Sequence, residues 1–136
     1  MAACNDGRTL LFDRQSEKEG GIWRLDADGS RLLRLTKGEY DHSPQCSADS
    51  KSVVFDSGNP SEWISTRVSI DGGAATAMPD PRSGVVSPDG SAIARFQRVE
   101  RNGSQLEGMS ISDLEGHAQH WVPLYGAVVY DWAPDG

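Results

Sequence analysis

Acidic turns recur along this 136-residue chain in two interleaved series that share one period. The first series runs through Asp6, Asp49, Asp89 and Asp135, in steps of 43, 40 and 46 residues. The second runs through Asp28, Asp71 and Glu115, in steps of 43 and 44. Glycine follows every one of them except Asp49, which precedes Ser50. Asp-Gly is a short hairpin signal, because glycine accepts positive φ and aspartate tolerates it. Two series with one spacing define a structural repeat of about 43 residues, and repeats of about 40–50 residues built from short strands are blades of a propeller.

The segments between the turns have strand character. TLLF at 9–12, SVVF at 52–55 and AIARF at 92–96 follow the first-series turns. GIWRL at 21–25, WISTRVSI at 63–70 and GMSISDL at 108–114 precede the second-series turns, and RLLRLT at 31–36, AATAM at 74–78 and HAQHWV at 117–122 follow them. SPQC at 43–46, SGVV at 83–86 and AVVYDW at 127–132 precede the first-series turns. These runs have ordinary strand length and are rich in β-branched and aromatic residues. Each period therefore holds four short strands, named a to d from the propeller axis outward.

The stretch LDADGS at 25–30 also begins like a calcium loop. Counting from Asp26, however, the sixth position is Arg31, where glycine is required, and the twelfth is Lys37, where a bidentate glutamate is required. It is a turn. His117 and His120 have the H-x-x-H spacing of a zinc pair on a helix. On a strand this odd offset sends the two rings to opposite faces. No metal or cofactor is expected.

Pro44-Gln45-Cys46-Ser47-Ala48-Asp49-Ser50-Lys51 followed by Val53-Val54-Phe55, Ser87-Pro88-Asp89-Gly90, and Trp132-Ala133-Pro134-Asp135-Gly136 form one recurring half-motif. Ile22-Trp23-Arg24-Leu25-Asp26-Ala27-Asp28-Gly29-Ser30, ending in Leu35-Thr36, forms the other. Together they resemble the TolB-type β-propeller repeat over nearly the whole chain. Cys46 and Val86 stand where the repeat usually has tryptophan, and Phe96 falls one residue later in its repeat than Phe12 and Phe55.

The expected fold is an all-β propeller with about three four-stranded blades, in repeats 4–45, 46–86 and 87–132. The repeats are phase-shifted: the first has almost no strand a, and 127–132 is an innermost strand without a following blade. Three blades do not close a ring, for which four to eight are typical. Two copies supply six blades. The expected homodimer inserts 127–132 of each chain beside 9–12 of the other, and the competing reading is that the chain is part of a longer polypeptide.

In an antiparallel blade the a–b and c–d turns share one end, and the b–c and d–a connections share the other. The stretches DRQSEKEGG at 13–21, DSGNPSE at 56–62 and QRVERNGSQLE at 97–107 read as long b–c loops. Binding residues concentrate on such loops. Tyr40, Asp41, His42, Arg82 and Tyr125, on the d–a connections, are the candidate binding residues; no catalytic residue is assigned.

Composition restricts the partners. The net charge of −7 opposes a sequence-independent grip on nucleic acid or on anionic lipid. No apolar run reaches the roughly 18 residues of a membrane-spanning helix. The first residues lack the charged and apolar regions of a signal peptide. Cys4 and Cys46, at similar points of adjacent repeats, are either two small thiols or a single bridge. There is no G-x-S-x-G, P-loop or kinase motif. The resemblance implies a non-catalytic scaffold or binding module, for protein interaction or sensing, in an extracytoplasmic setting. The third repeat is similar to the C-terminal propellers of some bacterial serine/threonine kinases. The alternative is the gating propeller of a prolyl-oligopeptidase-type peptidase.

Overall fold

The computed structural model describes residues 1–59, 61–117, 120–124 and 131–133. Their strands form three four-stranded antiparallel sheets, each from consecutive segments of chain. The first blade holds β1 (Ala2–Ala3), β2 (Thr9–Arg14), β3 (Gly21–Asp26) and β4 (Leu33–Arg34). The second holds β5 (His42–Cys46), β6 (Ser52–Asn59), β7 (Glu62–Ser69) and β8 (Thr76–Ala77). The third holds β9 (Val85–Val86), β10 (Ala92–Arg101), β11 (Ser104–Asp113) and β12 (His120–Leu124). The all-β, three-blade architecture expected from the sequence is present.

The acidic turns fall where the two series put them. In the a–b turns, Gly7, Ser50 and Gly90 donate their amides to the carbonyls of Cys4, Ser47 and Ser87. In the c–d turns, Gly29, Gly72 and Gly116 do the same to Asp26, Ser69 and Asp113. Asp6, Asp49 and Asp89 of the first series hold their turns from within, and Asp135 lies outside the described residues. Asp49 and Asp89 accept the Oγ of Ser47 and Ser87 at 2.7 and 2.6 Å. In the first blade Cys4 replaces that serine, and Asp6 takes Thr9 Oγ1 at 2.7 Å instead. All six fourth-position residues have positive φ, and Ser50, at 54°, is the one that is not glycine.

Burial along the strands gives the blade order. In β6, Val53, Val54, Phe55 and Asp56 are all buried, so both faces of the second blade are covered. Val53, Phe55 and Val68 pack with Leu11, Ile22 and Leu35 of the first blade. Val54 and Met78 pack with Val86, Ile93 and Leu114 of the third. Full burial of one such aliphatic side chain contributes about 1.5–3 kcal/mol. In the outer blades burial alternates. Leu11, Ile22 and Arg24 are buried while Leu10, Phe12, Trp23 and Leu25 are half-buried. Gly108, Ser110 and Ser112 are buried while Met109 and Ile111 are half-buried.

Cys4 and Cys46 form a disulfide with Cα atoms 5.3 Å apart, tying the first blade's inner strand to the second's. That resolves the two readings of the cysteines in favour of a bridge.

Two connections differ from expectation. The stretches at 56–62 and 97–107 are mostly strand, not loop. β6 and β7 pair out to Asn59 opposite Glu62. β10 and β11 pair out to Arg101 opposite Ser104. Asn102 and Gly103, at φ 52° and 74°, make the two-residue turn that the twist of a hairpin favours. The Arg98–Glu107 pair, 2.8 Å apart, lies across this exposed hairpin. Polar and charged strand ends that bury few side chains look like loops in sequence. The inner edge of β2 is also occupied within the chain: Ala2 pairs with Leu11 and Ala3 with Leu10. An incoming 127–132 strand must displace β1 from this edge. Residues 127–130 themselves lie outside the described residues.

Candidate functional site

The d–a connections meet the outer ends of β5, β6 and β10, and buried carboxylates hold them there. Asp41 is 3% exposed. Its carboxylate accepts Thr36 Oγ1, the Gly38 amide at 3.0 Å and Ser57 Oγ at 2.7 Å. Gly38 is required by packing, since a Cβ there would run into that carboxylate. Asp41 is therefore the bolt of the loop. Tyr40 beside it is exposed.

His42 begins β5 opposite Asp56. Its Nδ1 lies 2.9 Å from Ser43 Oγ, and its ring meets Trp63 edge-on with centroids 4.3 Å apart. Asp56 is buried and accepts Ser83 Oγ at 2.6 Å. Burial raises its pKa, against the lowering effects of the Ser83 bond and the charges of His42 and Arg95.

The second d–a connection is clamped by arginine. Arg82 binds Asp80 with two side-chain nitrogens, Nε at 2.9 Å and Nη2, while its own amide donates to the same carboxylate at 3.2 Å. The Arg82 hydrogen bond foremost lowers the Asp80 pKa, and the same bond raises that of Arg82. Arg95 lies beneath, 1% exposed. It donates Nε to Arg82 O at 2.9 Å, Nη2 to Asp80 O at 3.2 Å and Nη1 to Ser112 Oγ at 3.3 Å. By register Arg95 holds the place of Phe12 and Phe55, with the turn bonds of Thr9, Ser52 and Ala92 as the common origin. That is why Phe96 falls one residue late.

Of the five candidate residues, Asp41 and His42 are adjacent on one connection. Arg82 lies on the next, linked to His42 through Asp56 and Ser83. Tyr40 makes no side-chain contact with the others among those described, and Tyr125 lies outside the described residues. Sequence reasoning missed Trp63, Asp56, Asp80 and Arg95. The signals were a charge inside the apolar run AIARF and an aspartate ending SVVFD.

Elsewhere the polar clusters serve turns. His117 caps the third c–d turn, with its amide 2.7 Å and its Nδ1 3.2 Å from the Asp113 carboxylate. Only His120 of the H-x-x-H pair belongs to a strand. Among the described residues no group of three His, Cys, Asp or Glu is placed to hold a metal ion. A cleft of about 820 Å³ opens beside the long third hairpin, lined by residues including Arg98, Leu106, Glu107 and Trp121.

No family model matches the chain, and no curated protein matches it. Solved structures do. A TolB structure from Agrobacterium tumefaciens aligns with a TM-score of 0.68 and 20% identity, over 98% of this chain and 53% of that one. TolB from Acinetobacter baumannii aligns at 0.61 and 20%, over 89% and 31%. Hydrazine synthase from Kuenenia stuttgartiensis aligns at 0.53 and 17%, over 89% and 40%. The chain thus spans about half the length of the first protein and about a third of the second. At these identities the likeness concerns fold, and none of the three is a kinase. The chain has the fold of a TolB-type β-propeller, of which it forms three consecutive blades.

Proposed function

We propose that this chain is a non-catalytic β-propeller module that binds a protein or peptide partner and associates with a second copy of itself. The observation that carries the reading is Asp41. Its three bonds fix the connection that displays Tyr40 and His42. Asp56 and Asp80 are likewise spent on holding the neighbouring connection. The carboxylates of this end thus serve its rigidity, and Tyr40, His42, Trp63 and Arg82 are displayed on a fixed base. Tyr125 is assigned to the same surface from its position in the sequence. Aromatic and arginine side chains on a rigid support are what peptide and protein contacts favour. The Cys4–Cys46 bridge supports an oxidising, extracytoplasmic setting.

The test is selection from a random peptide display library on the immobilised chain, followed by mapping on the amide spectrum. Selected peptides are expected to shift Tyr40, His42, Trp63 and Arg82. The double variant Tyr40→Ala, Trp63→Ala is expected to lose at least about tenfold in affinity, since such anchors dominate binding. Shifts confined to the opposite, turn-bearing end would remove this assignment, and turnover of a peptide would remove the non-catalytic reading.

A further inference from the structure

Of the three asparagines in the chain, Asn5, Asn59 and Asn102, one stands in the pattern Asn-x-Ser/Thr with x other than proline. Asn5 is followed by Asp6-Gly7, which supplies no hydroxyl, and Asn59 by Pro60, which the pattern excludes. Asn102-Gly103-Ser104 satisfies it. This is the pattern read by enzymes that transfer glycans to asparagine, and it is usable where it lies on the surface of an exported protein. Glu100 adds an acid two residues before the asparagine. The segment Glu100-Arg101-Asn102-Gly103-Ser104 therefore also matches the longer pattern that bacterial transferases of this class read.

The fold presents this segment at an extremity. β10 and β11 have ten residues each, against six in β2 and β3 and eight in β6 and β7. Their hairpin is the longest of the three, and Asn102 and Gly103 form its tip. Every residue from 100 to 105 is exposed. Apart from its two chain neighbours, nothing lies within 4 Å of a Cβ built on Gly103, so the space around the tip is open.

The side chains are also uncommitted. The Asn102 amide group and the Ser104 hydroxyl have no hydrogen-bond partner among the described residues. Asn59, by contrast, accepts the Ser61 amide at 2.9 Å. The turn serines Ser30, Ser47 and Ser87 are bonded to Asp28, Asp49 and Asp89. Hairpin geometry accounts for Asn-Gly at the tip. It does not call for the Ser104 hydroxyl or for an acid at position 100.

A transferase must draw its acceptor segment out of the turn. No residue from Arg98 to Glu107 is fully buried. Parting Arg101 from Ser104 and Glu100 from Gln105 therefore uncovers no core. Exposed ends of this kind open locally at little cost.

We propose that Asn102 is the acceptor of an N-linked glycan on the folded protein. The donor is an oligosaccharide carried on a lipid diphosphate. The Asn102 side-chain nitrogen forms a bond to C1 of the first sugar and loses one proton. The bond from C1 to the diphosphate oxygen breaks, and the lipid diphosphate leaves with its electron pair. The Ser104 hydroxyl holds the segment in the transferase, and Glu100 is read as a charge. The Cys4–Cys46 bridge fits the oxidising, extracytoplasmic compartment in which such transfer takes place. The site uses none of the residues proposed above to bind a peptide.

The test is export of the full chain from bacterial cells that carry such a transferase, together with a control acceptor protein. Intact mass and glycopeptide mapping are the readouts. The wild-type chain is expected to gain one glycan, on the peptide that holds Asn102. Asn102→Asp keeps an Asp-Gly turn and is expected to lose the added mass. Ser104→Ala is expected to lose it as well, and Ser104→Thr to keep it. Glu100→Gln is expected to lower occupancy, and occupancy indifferent to that change overturns the role of Glu100. Circular dichroism checks that each variant folds. An unmodified wild-type chain beside a modified control overturns the proposal, as does a glycan that survives Ser104→Ala or maps to another residue. A glycan found only on the Cys4→Ala, Cys46→Ala chain overturns the claim that the folded hairpin is the acceptor.

Discussion

Arg24 and Asp71 lie 47 residues apart in sequence and 3.0 Å apart across the first blade interface. The guanidinium is buried, whereas 77% of the Asp71 side chain is exposed. Arg67 and Glu115 repeat the pairing, but with the arginine side chain 35% exposed. The two pairs should therefore differ in worth. Arg24→Ala removes buried packing and bonds to Ile70 O and Asp71, and is expected to cost about 2–4 kcal/mol. Arg67→Ala is expected to cost under about 1 kcal/mol, as exposed pairs do. Urea denaturation of the two variants compares them directly, and equal losses would contradict the burial argument.

Ser50 occupies a left-handed position that Gly7 and Gly90 fill in the other blades. A side chain there carries about 1–2 kcal/mol of steric cost, partly offset by the greater flexibility of glycine when unfolded. Ser50→Gly is expected to raise stability by about 0.5–1 kcal/mol. A melting temperature unchanged or lowered would show that the Ser50 backbone is unstrained.

The Cys4–Cys46 bridge closes a loop with a sequence separation of 42. In the chain-entropy account such a loop contributes about 4 kcal/mol. Reduction, or the double change Cys4→Ala, Cys46→Ala, is expected to lower the melting temperature by on the order of 10 °C. Reduction should loosen the first blade before the other two, because the second and third share a core that the bridge does not touch. Hydrogen exchange resolved by peptide measures that order.

Two sets of carboxylates pull the pH dependence in opposite directions. Asp89 is lowered to about 2, chiefly by the Ser87 hydroxyl, and Asp6 and Asp49 are also lowered by turn hydrogen bonds. Their folded pKa lies below the unfolded value, so their stabilisation is present above about pH 4 and is lost as pH falls toward 2. Asp56 is raised by burial. Its contribution is present below the unfolded value and is lost as pH rises through its folded pKa. Asp56→Asn, which can still accept from Ser83, is expected to be more stable than the wild type at neutral pH and to match it in acid. Melting curves from pH 2.5 to 8 test both, and an Asp56→Asn advantage that persists unchanged in acid would refute the second.

The repeat was legible because turns are local chemistry. An aspartate beside a residue that tolerates positive φ identifies a turn without knowledge of the rest of the fold, and the copies reinforce one another. What sequence hid were residues whose meaning depends on a neighbouring blade. Arg95 lies in an apolar run, and only register shows that it fills the place of Phe12 and Phe55. Asp41 reads as a loop carboxylate open to a ligand, yet its partners Thr36 and Ser57 come from two different blades. The outer hairpin ends escaped for the opposite reason. Beyond the buried Gly108 their strands have no fully buried residue, so Gln97 to Arg101 shows no apolar alternation although it pairs residue by residue with Ser104 to Gly108.

The unlike faces of a blade give the arc a direction, like the head and tail of a link. Contacts between head and tail close into a ring only when the turn per link divides the circle, and otherwise run on into an open helical fibre. Inside this chain each link is held by a packed core, by the Arg24–Asp71 or Arg67–Glu115 pair and, at the first joint, by the Cys4–Cys46 bridge. The redox state of a bridge between the first two blades therefore bears on how sharply the arc curves at that joint.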